Sequence, residues 1–393
     1  MAEKFRILTL NNISPVGLAR LPSERYIIGS DIAEPDAILV RSAKMHDMDI
    51  PPSVKAIARA GAGTNNVPVA KMSERGVPVF NAPGANANAV KELVIASMLI
   101  AARNLMPAWQ FAQSLEGDDA EIAKAVEAGK KQFAGIELPN RTLGIIGLGA
   151  IGSLVADAGI RLGMNVIGFD PEITVEAAWR LPSSVKKAAS VEEVVKNADF
   201  ITLHVPLLDK TRNMIDAARI ALMKPGTVLL NFAREGIVDD KAVVEGIASN
   251  KLRAYVCDFP SNALKGHPRI ITFPHLGAST EEAEENCAVM VAEQVRDYLE
   301  NGNIRNAVNF PDVSMARESA WRIAIANANV PNMVGQISTA MAEAGLNIHN
   351  MVNKSKGEMA YTLVDVDSEP PPAVIERIGQ IKGVLMVRAI PAR

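Results

Sequence analysis

The chain has little of what marks several protein classes. Only two cysteines, Cys257 and Cys287, occur in 393 residues. Their spacing offers neither a disulfide framework nor a metal-ligand pattern, and both stand in apolar surroundings as packed thiols. An excess of one charge is missing too: 41 basic residues oppose 44 acidic ones, so there is no field to draw nucleic acid or an anionic membrane. No apolar run reaches the ~18 residues of a membrane span. Charges interrupt the opening strand-like stretch, so a secretory signal is not expected and a cytoplasmic setting is the default. What is abundant is apolar content, 48% against 22% charged, which suits two or three domains with real cores.

Three regions separate by pattern. In the first, short apolar runs at 5–10, 37–40, 54–60 and 77–81 read as buried parallel strands, each closed by Gly, Pro, Asn or Ser. A helix at 90–104, apolar nearly all round, follows. In the second, strands and helices alternate from Arg141 to about Pro274, the pattern of a doubly wound sheet. Ser279 with Glu282 then forms a capping box that opens a long helix, with Gly302 as its stop. That helix carries the chain back, so the first domain is expected to be discontinuous: 1–97 with 287–318, interrupted by a nucleotide domain at 98–286. The third region, 319–393, reads βαββαβ, the order of the small ferredoxin-like module.

Gly147-Leu148-Gly149-Ala150-Ile151-Gly152 directly follows a strand and opens a helix. The first glycine permits a tight turn, the second a close approach to a pyrophosphate, and the third close helix–strand packing. The next strand ends in Asp170, at the spacing where a carboxylate accepts from ribose hydroxyls and repels a 2′-phosphate, so NAD is favoured over NADP. The bland reading is a glycine turn with a solvated strand-end acid, but strand, turn, helix and acid all stand in order.

Oxidation at a hydroxyl-bearing carbon needs a base for the proton and a cation for a neighbouring carboxylate. Of the five histidines, His46 and His267 lie in polar loops and His349 in the third region. His204 ends a strand and suits a wall of the cofactor pocket. His275 follows a strand at the carboxyl end of the sheet, where open α/β sheets bind ligands, and is the best base. Arg234 follows another such strand and can grip a planar carboxylate with two parallel hydrogen bonds. Taken alone, Arg234 would more often be a surface ion-pair residue.

The stretches 142–170, 231–239 and 274–280, together with 40–42, 59–66 and Asn81-Ala82-Pro83 with Asn86, resemble the D-isomer-specific 2-hydroxyacid dehydrogenase family over nearly the whole chain. The resemblance implies two doubly wound parallel-sheet α/β domains, an NAD cofactor, no metal and a small-molecule substrate. It implies that Arg234 binds the substrate carboxylate and that His275 is the general acid/base. Phe232 and Ala233 would line the nicotinamide pocket and Asp258 would contact its amide. Gly61 and Gly63 would offer backbone N–H groups to the carboxylate. Arg41, Ser42 and Arg59, with Lys131 behind them, are phosphate candidates, pointing to D-3-phosphoglycerate as substrate. A glyoxylate or hydroxypyruvate reductase and a non-catalytic dinucleotide-sensing corepressor are the alternatives. One departure stands out. The family's glutamate partner of the histidine is missing from Asp258-Phe259-Pro260-Ser261-Asn262, and Asn262 is the nearest match.

The third region resembles the ACT regulatory domain, which pairs with a second copy and binds amino acids at the seam. On that likeness Asn329 and Asn347 would hold an effector, L-serine, and the chain would be a homodimer or homotetramer. Asn327 stands where serine-responsive relatives often carry histidine, and Asn332 replaces a loop glycine.

Overall fold

The computed structural model describes residues 4–392, the side chain of Glu176 excepted. The chain forms two compact units, one of residues 1–86 with 281–393 and one of residues 87–280.

In the first unit β1 (Phe5–Leu10), α1 (Pro15–Leu18), β2 (Tyr26–Gly29), β3 (Ala37–Val40), β4 (Ala56–Arg59), α2 (Val69–Glu74) and β5 (Val79–Phe80) build a five-stranded sheet of order β2-β1-β3-β4-β5. Its pairs are parallel, with Ile7 opposite Ala37 and Ile38 opposite Ile57, all four buried. Sequence reading missed β2, a four-residue strand at the sheet edge whose Ile27 is half exposed.

The second unit opens with α3 (Ala87–Ala102), α4 (Leu105–Gln113) and α5 (Asp119–Gly129). Next come β6 (Thr142–Ile146), α6 (Ala150–Arg161), β7 (Asn165–Phe169), α7 (Val175–Arg180), β8 (Lys186–Lys187), α8 (Val191–Asn197) and β9 (Phe200–Leu203). It closes with α9 (Ala217–Leu222), β10 (Thr227–Asn231), α10 (Asp240–Ala248), β11 (Leu252–Cys257) and β12 (Ile270–Thr272). The seven strands run in parallel in the order β12-β11-β10-β9-β6-β7-β8. The order reverses direction between β6 and β9, the switch point that leaves a crevice at the strands' carboxyl ends. The apolar face of α3 enters the same core as β6 and β10 through Val90, Val94 and Met98.

The chain re-enters the first unit through α11 (Glu281–Asn301), which starts at Glu281, so Thr280 rather than Ser279 is the residue before it. Then follow β13 (Trp321–Ala328), α12 (Met333–Glu343), β14 (Ile348–Lys356), β15 (Met359–Val366), α13 (Pro372–Gly379) and β16 (Val384–Pro391), an antiparallel sheet of order β14-β15-β13-β16. This is the expected βαββαβ module. Its sheet shares a core with α11: Ala324, Ala326, Tyr361 and Leu363 cluster with Val291, Val295, Tyr298 and Leu299. The Arg388 guanidinium stacks 4.2 Å from the Tyr298 ring centre. Arg322, fully buried, pairs with Asp365 and donates to the carbonyls of Asn301, Met315 and Ala316. No described helix is long and apolar enough to cross a membrane.

Candidate active site

The glycine turn between β6 and α6 is built as a dinucleotide cradle. Gly147 has φ +94°, and a Cβ there would meet the His204 carbonyl oxygen at 2.4 Å. At Gly152 a Cβ would lie 1.9 Å from the Gly147 carbonyl oxygen, so only glycine lets the helix pack down. Gly149 faces open space with nothing within 4 Å and heads α6 without a side-chain cap. The first turn of α6, Ala150 and Ile151, therefore keeps its N–H groups free of side-chain capping where a pyrophosphate would sit. The Asp170 carboxylate accepts from Leu148 N–H at 2.8 Å and Glu172 N–H at 3.0 Å, which fixes the acid beside the turn. These residues fit NAD. The His204 ring lies 3.0 Å from Thr202 Oγ1 through Nε2, and its buried Nδ1 has no hydrogen-bond partner. Burial pushes its pKa down to about 3, so the ring is neutral and unsuited to act as an acid or base.

β10 delivers Asn231, whose buried amide accepts from Ala233 N–H at 3.2 Å and donates to the Arg234 carbonyl at 3.0 Å. That bridge folds Phe232, Ala233 and Arg234 into a tight turn with the first two buried and the arginine exposed. The Arg234 guanidinium bonds only to its neighbour, the Ala233 carbonyl, at 2.6 Å among the described residues. β11 delivers Asp258, buried, whose two carboxylate oxygens accept from Leu276 N–H at 2.8 Å and Gly277 N–H at 2.7 Å. Its carbonyl accepts from His275 N–H at 3.2 Å. His275 itself stands at φ +58°, a left-handed backbone that few non-glycine residues adopt. Asp258 is therefore the clamp that stabilises this conformation, where the family likeness gave it only a cofactor contact. β10 and β12 flank β11 in the sheet, so the Arg234 turn and the His275 loop leave strand ends at the same carboxyl edge.

No described side chain hydrogen-bonds the His275 ring. Phe259 meets it edge to face at 5.3 Å, and Asn262 is exposed on the turn beyond without a bond to it. The structure thus puts neither an acid nor Asn262 in the place of the missing glutamate. Sequence reading also passed over Asn231, although a strand ending in Asn just before the arginine turn was signal enough.

In the first unit Arg41, Arg59 and the 61–65 loop come together. The Arg59 guanidinium lies on Gly61, where a Cβ would meet it at 1.9 Å, and its Nε donates to the Arg41 carbonyl at 3.0 Å. Asn11 holds the turn after β3 by accepting from Ser42 and Ala43 N–H at 3.1 and 2.6 Å. The Arg41 guanidinium pairs with Glu284 of α11. The Gly61 N–H already bonds the Arg59 carbonyl at 2.8 Å, which removes one donor expected for the substrate. Asn81 secures the same loop by donating to the Ala62 carbonyl at 2.6 Å, while Gly63 is half-buried within it and Asn86 ends the segment. Lys131 is exposed and lies in the other unit.

A cavity of about 150 Å³ opens in the antiparallel module, lined by Asn327, Asn329, Asn332, Gly335 and Asn353 among others. The Asn327 Oδ1 is buried there without a partner. Asn347 does not line it. Asn329 bonds the carbonyls of Gly357 and Glu358, at the far end of β14, whereas Asn347 immediately precedes that strand. A nine-residue strand separates the two by about 30 Å.

Residues 95–277 match the sequence model described as D-isomer specific 2-hydroxyacid dehydrogenase, NAD binding domain. A D-3-phosphoglycerate dehydrogenase of Methanocaldococcus jannaschii is 36% identical over 85% of this chain, which spans only 62% of that protein. The enzyme of that name from Haemophilus influenzae is 32% identical over 86% of this chain and 82% of its own length. Among solved structures, an NAD+-bound 3-phosphoglycerate dehydrogenase of Entamoeba histolytica matches with TM-score 0.60 and 25% identity over 78% of this chain and 99% of that one. An NADPH-dependent glyoxylate/hydroxypyruvate reductase of Sinorhizobium meliloti shares the fold, with TM-score 0.65 and 22% identity over 78% and 98%.

Proposed function

Since the chain belongs to the D-isomer-specific 2-hydroxyacid dehydrogenase family, we propose that it is a cytoplasmic enzyme oxidising D-3-phosphoglycerate to 3-phosphohydroxypyruvate, the first step of L-serine biosynthesis. NAD, held by Gly147, Gly149, Gly152 and Asp170, supplies the hydride acceptor. The observation that carries the reading is the clamp of Asp258 on the His275 loop, beside the Arg234 turn. Arg234 grips the substrate carboxylate and orients the C2 hydroxyl. The imidazole of His275 takes the hydroxyl proton as the carbonyl forms and returns one in the reverse direction. Arg41, Ser42 and Arg59 receive the phosphate, and the 61–65 loop supports the carboxylate. In this reading residues 1–86 with 281–318 serve the substrate, 87–280 the cofactor and 319–393 regulation.

A panel of D-2-hydroxy and 2-keto acids, with and without phosphate, read by NADH absorbance, tests the assignment. The phosphorylated pair is expected to give the highest kcat/KM, and Arg234→Ala to lower it by roughly 10²–10³-fold. Preference for glyoxylate or hydroxypyruvate would replace the substrate. One observation favours that second reading: Arg41 is already neutralised by Glu284.

The chain works as a homodimer or homotetramer, and L-serine binds at Asn329 and Asn347. The α4 helix buries none of its residues and exposes Leu105 and Trp109, a surface suited to a second copy. Asn329 and Asn347 serve one ligand only when two copies of the module contribute one each, and the free Asn327 Oδ1 would accept from the ligand's ammonium. Light scattering reads the assembly, and a serine titration is expected to raise the melting temperature, since a ligand of the native state must. A monomer whose melting is indifferent to serine would remove both assignments.

A further inference from the structure

Arg41 is a phosphate candidate whose guanidinium already has an anion. Its backbone is fixed on three sides: Arg59 Nε and Asn66 Nδ2 donate to its carbonyl at 3.0 and 3.4 Å, and Asn11 holds the next two N–H groups. From that fixed root the side chain reaches the carboxylate of Glu284 in the first turn of α11. The two side chains remain 38% and 41% exposed, so the pair is open to exchange with ions from solution. Cys287, one turn along α11, has a buried thiol within the fields of Arg59, Arg41 and Glu284 together. The Arg59 guanidinium lies on Gly61 and its Nε on the Arg41 carbonyl, so the Arg41–Glu284 pair and Arg59 share one neighbourhood.

A half-exposed pair of this kind is weak, whereas a phosphate dianion offers two charges and geometry for parallel bonds to a guanidinium. An incoming dianion can displace Glu284. A monoanion replaces one single charge by another and gains nothing, while the displaced carboxylate stays close enough to repel it.

We propose that Glu284 is a specificity-determining residue: it occupies Arg41 in the empty site and competes with incoming anions, so that the Arg41–Arg59 cluster accepts a phosphate dianion and rejects singly charged groups. This rests on the phosphate assignment of Arg41 made above. It accounts for a carboxylate standing in a site meant for an anion, and it makes Glu284 a filter rather than a ligand.

The test uses the full-length protein with whichever 2-keto acid it reduces, inorganic phosphate as inhibitor and acetate as the monoanion. Glu284→Gln is expected to tighten phosphate inhibition about fivefold, the scale of one exposed ion pair. KM for the phosphorylated substrate should fall by a similar factor, the change lying in KM and not in kcat, and acetate, ineffective on the wild type, should begin to inhibit. Glu284→Asp, which keeps the charge, should keep the wild-type selectivity. Unchanged or weakened phosphate inhibition in Glu284→Gln overturns the proposal. Arg41→Ala separates the causes: if it abolishes phosphate inhibition while Glu284→Gln is neutral, only the filter falls. If Arg41→Ala leaves phosphate inhibition intact, the phosphate assignment of Arg41 falls and takes the filter with it.

Discussion

A buried carboxylate with both oxygens bonded to backbone N–H groups is a fixed point, and Asp258 is one. It stabilises a left-handed histidine that its own backbone preferences would not select. Asn231 does the same for the arginine turn with one amide. The half-buried His204, with its enclosed Nδ1, has a consequence for pH. Burial holds His204 neutral in the native state down to about pH 3, whereas in the unfolded chain it titrates near 6.5. Between those values the unfolded state binds the extra proton. The stabilisation is therefore complete above about pH 6.5 and is lost progressively as the pH falls towards 3. Melting temperatures across pH 7 to 4 should fall more steeply for the wild type than for His204→Gln, and parallel curves would show that the ring charges without cost.

Elements set where these residues stand. The βα turn after β6 is tolerable only as glycine at 147 and 152, where Cβ atoms would strike backbone oxygens, while Gly149 leaves a gap over the α6 N-terminus. Gly152→Ala is expected to push α6 off the sheet. Dinucleotide binding by calorimetry should weaken at least tenfold, about 1.4 kcal/mol, with a smaller loss of thermal stability. Undiminished affinity would mean that the helix does not need that approach. The motif, its helix and the strand ends bearing Arg234 and His275 were legible because parallel strands buried on both faces read as short apolar runs with punctuation. The edge strands β2 and β8 were not, although β5 and β12, also at sheet edges, were. β8 is two exposed lysines, and β2 alternates too weakly, since a strand bonded on one side needs no continuous apolar face. The long helix was legible too, but its start falls one residue past the capping box, a shift within the usual uncertainty of helix ends.

Across the whole molecule, the first unit depends on both ends of the chain. α11 packs against β3, β4 and β5 on one side, and Tyr298 and Leu299 share a core with the antiparallel module. The buried Arg322–Asp365 pair, with three carbonyls from residues 301–316, ties that module to the segment before it. Truncation after residue 318 would bare this apolar face and leave those carbonyls without their donor, so the shortened chain should be insoluble or melt well below the full chain. A truncated form that stays soluble with undiminished melting temperature and dehydrogenase activity would show the module to be a dispensable appendage.

Sequence alone determined the parallel-sheet α/β architecture, the βαββαβ module, the glycine cradle with Asp170 and the candidacy of Arg234 and His275. Each is written in local spacing: a strand, a turn and a helix within some thirty residues obey rules of backbone sterics that need no distant partner. Only the tertiary structure decided that Asp258 clamps the histidine loop, that no described side chain bonds the His275 ring, that Asn329 and Asn347 lie apart, and that Glu284 holds Arg41 across 243 residues of chain. Such contacts depend on which surfaces pack together, and no local pattern of side chains encodes that choice.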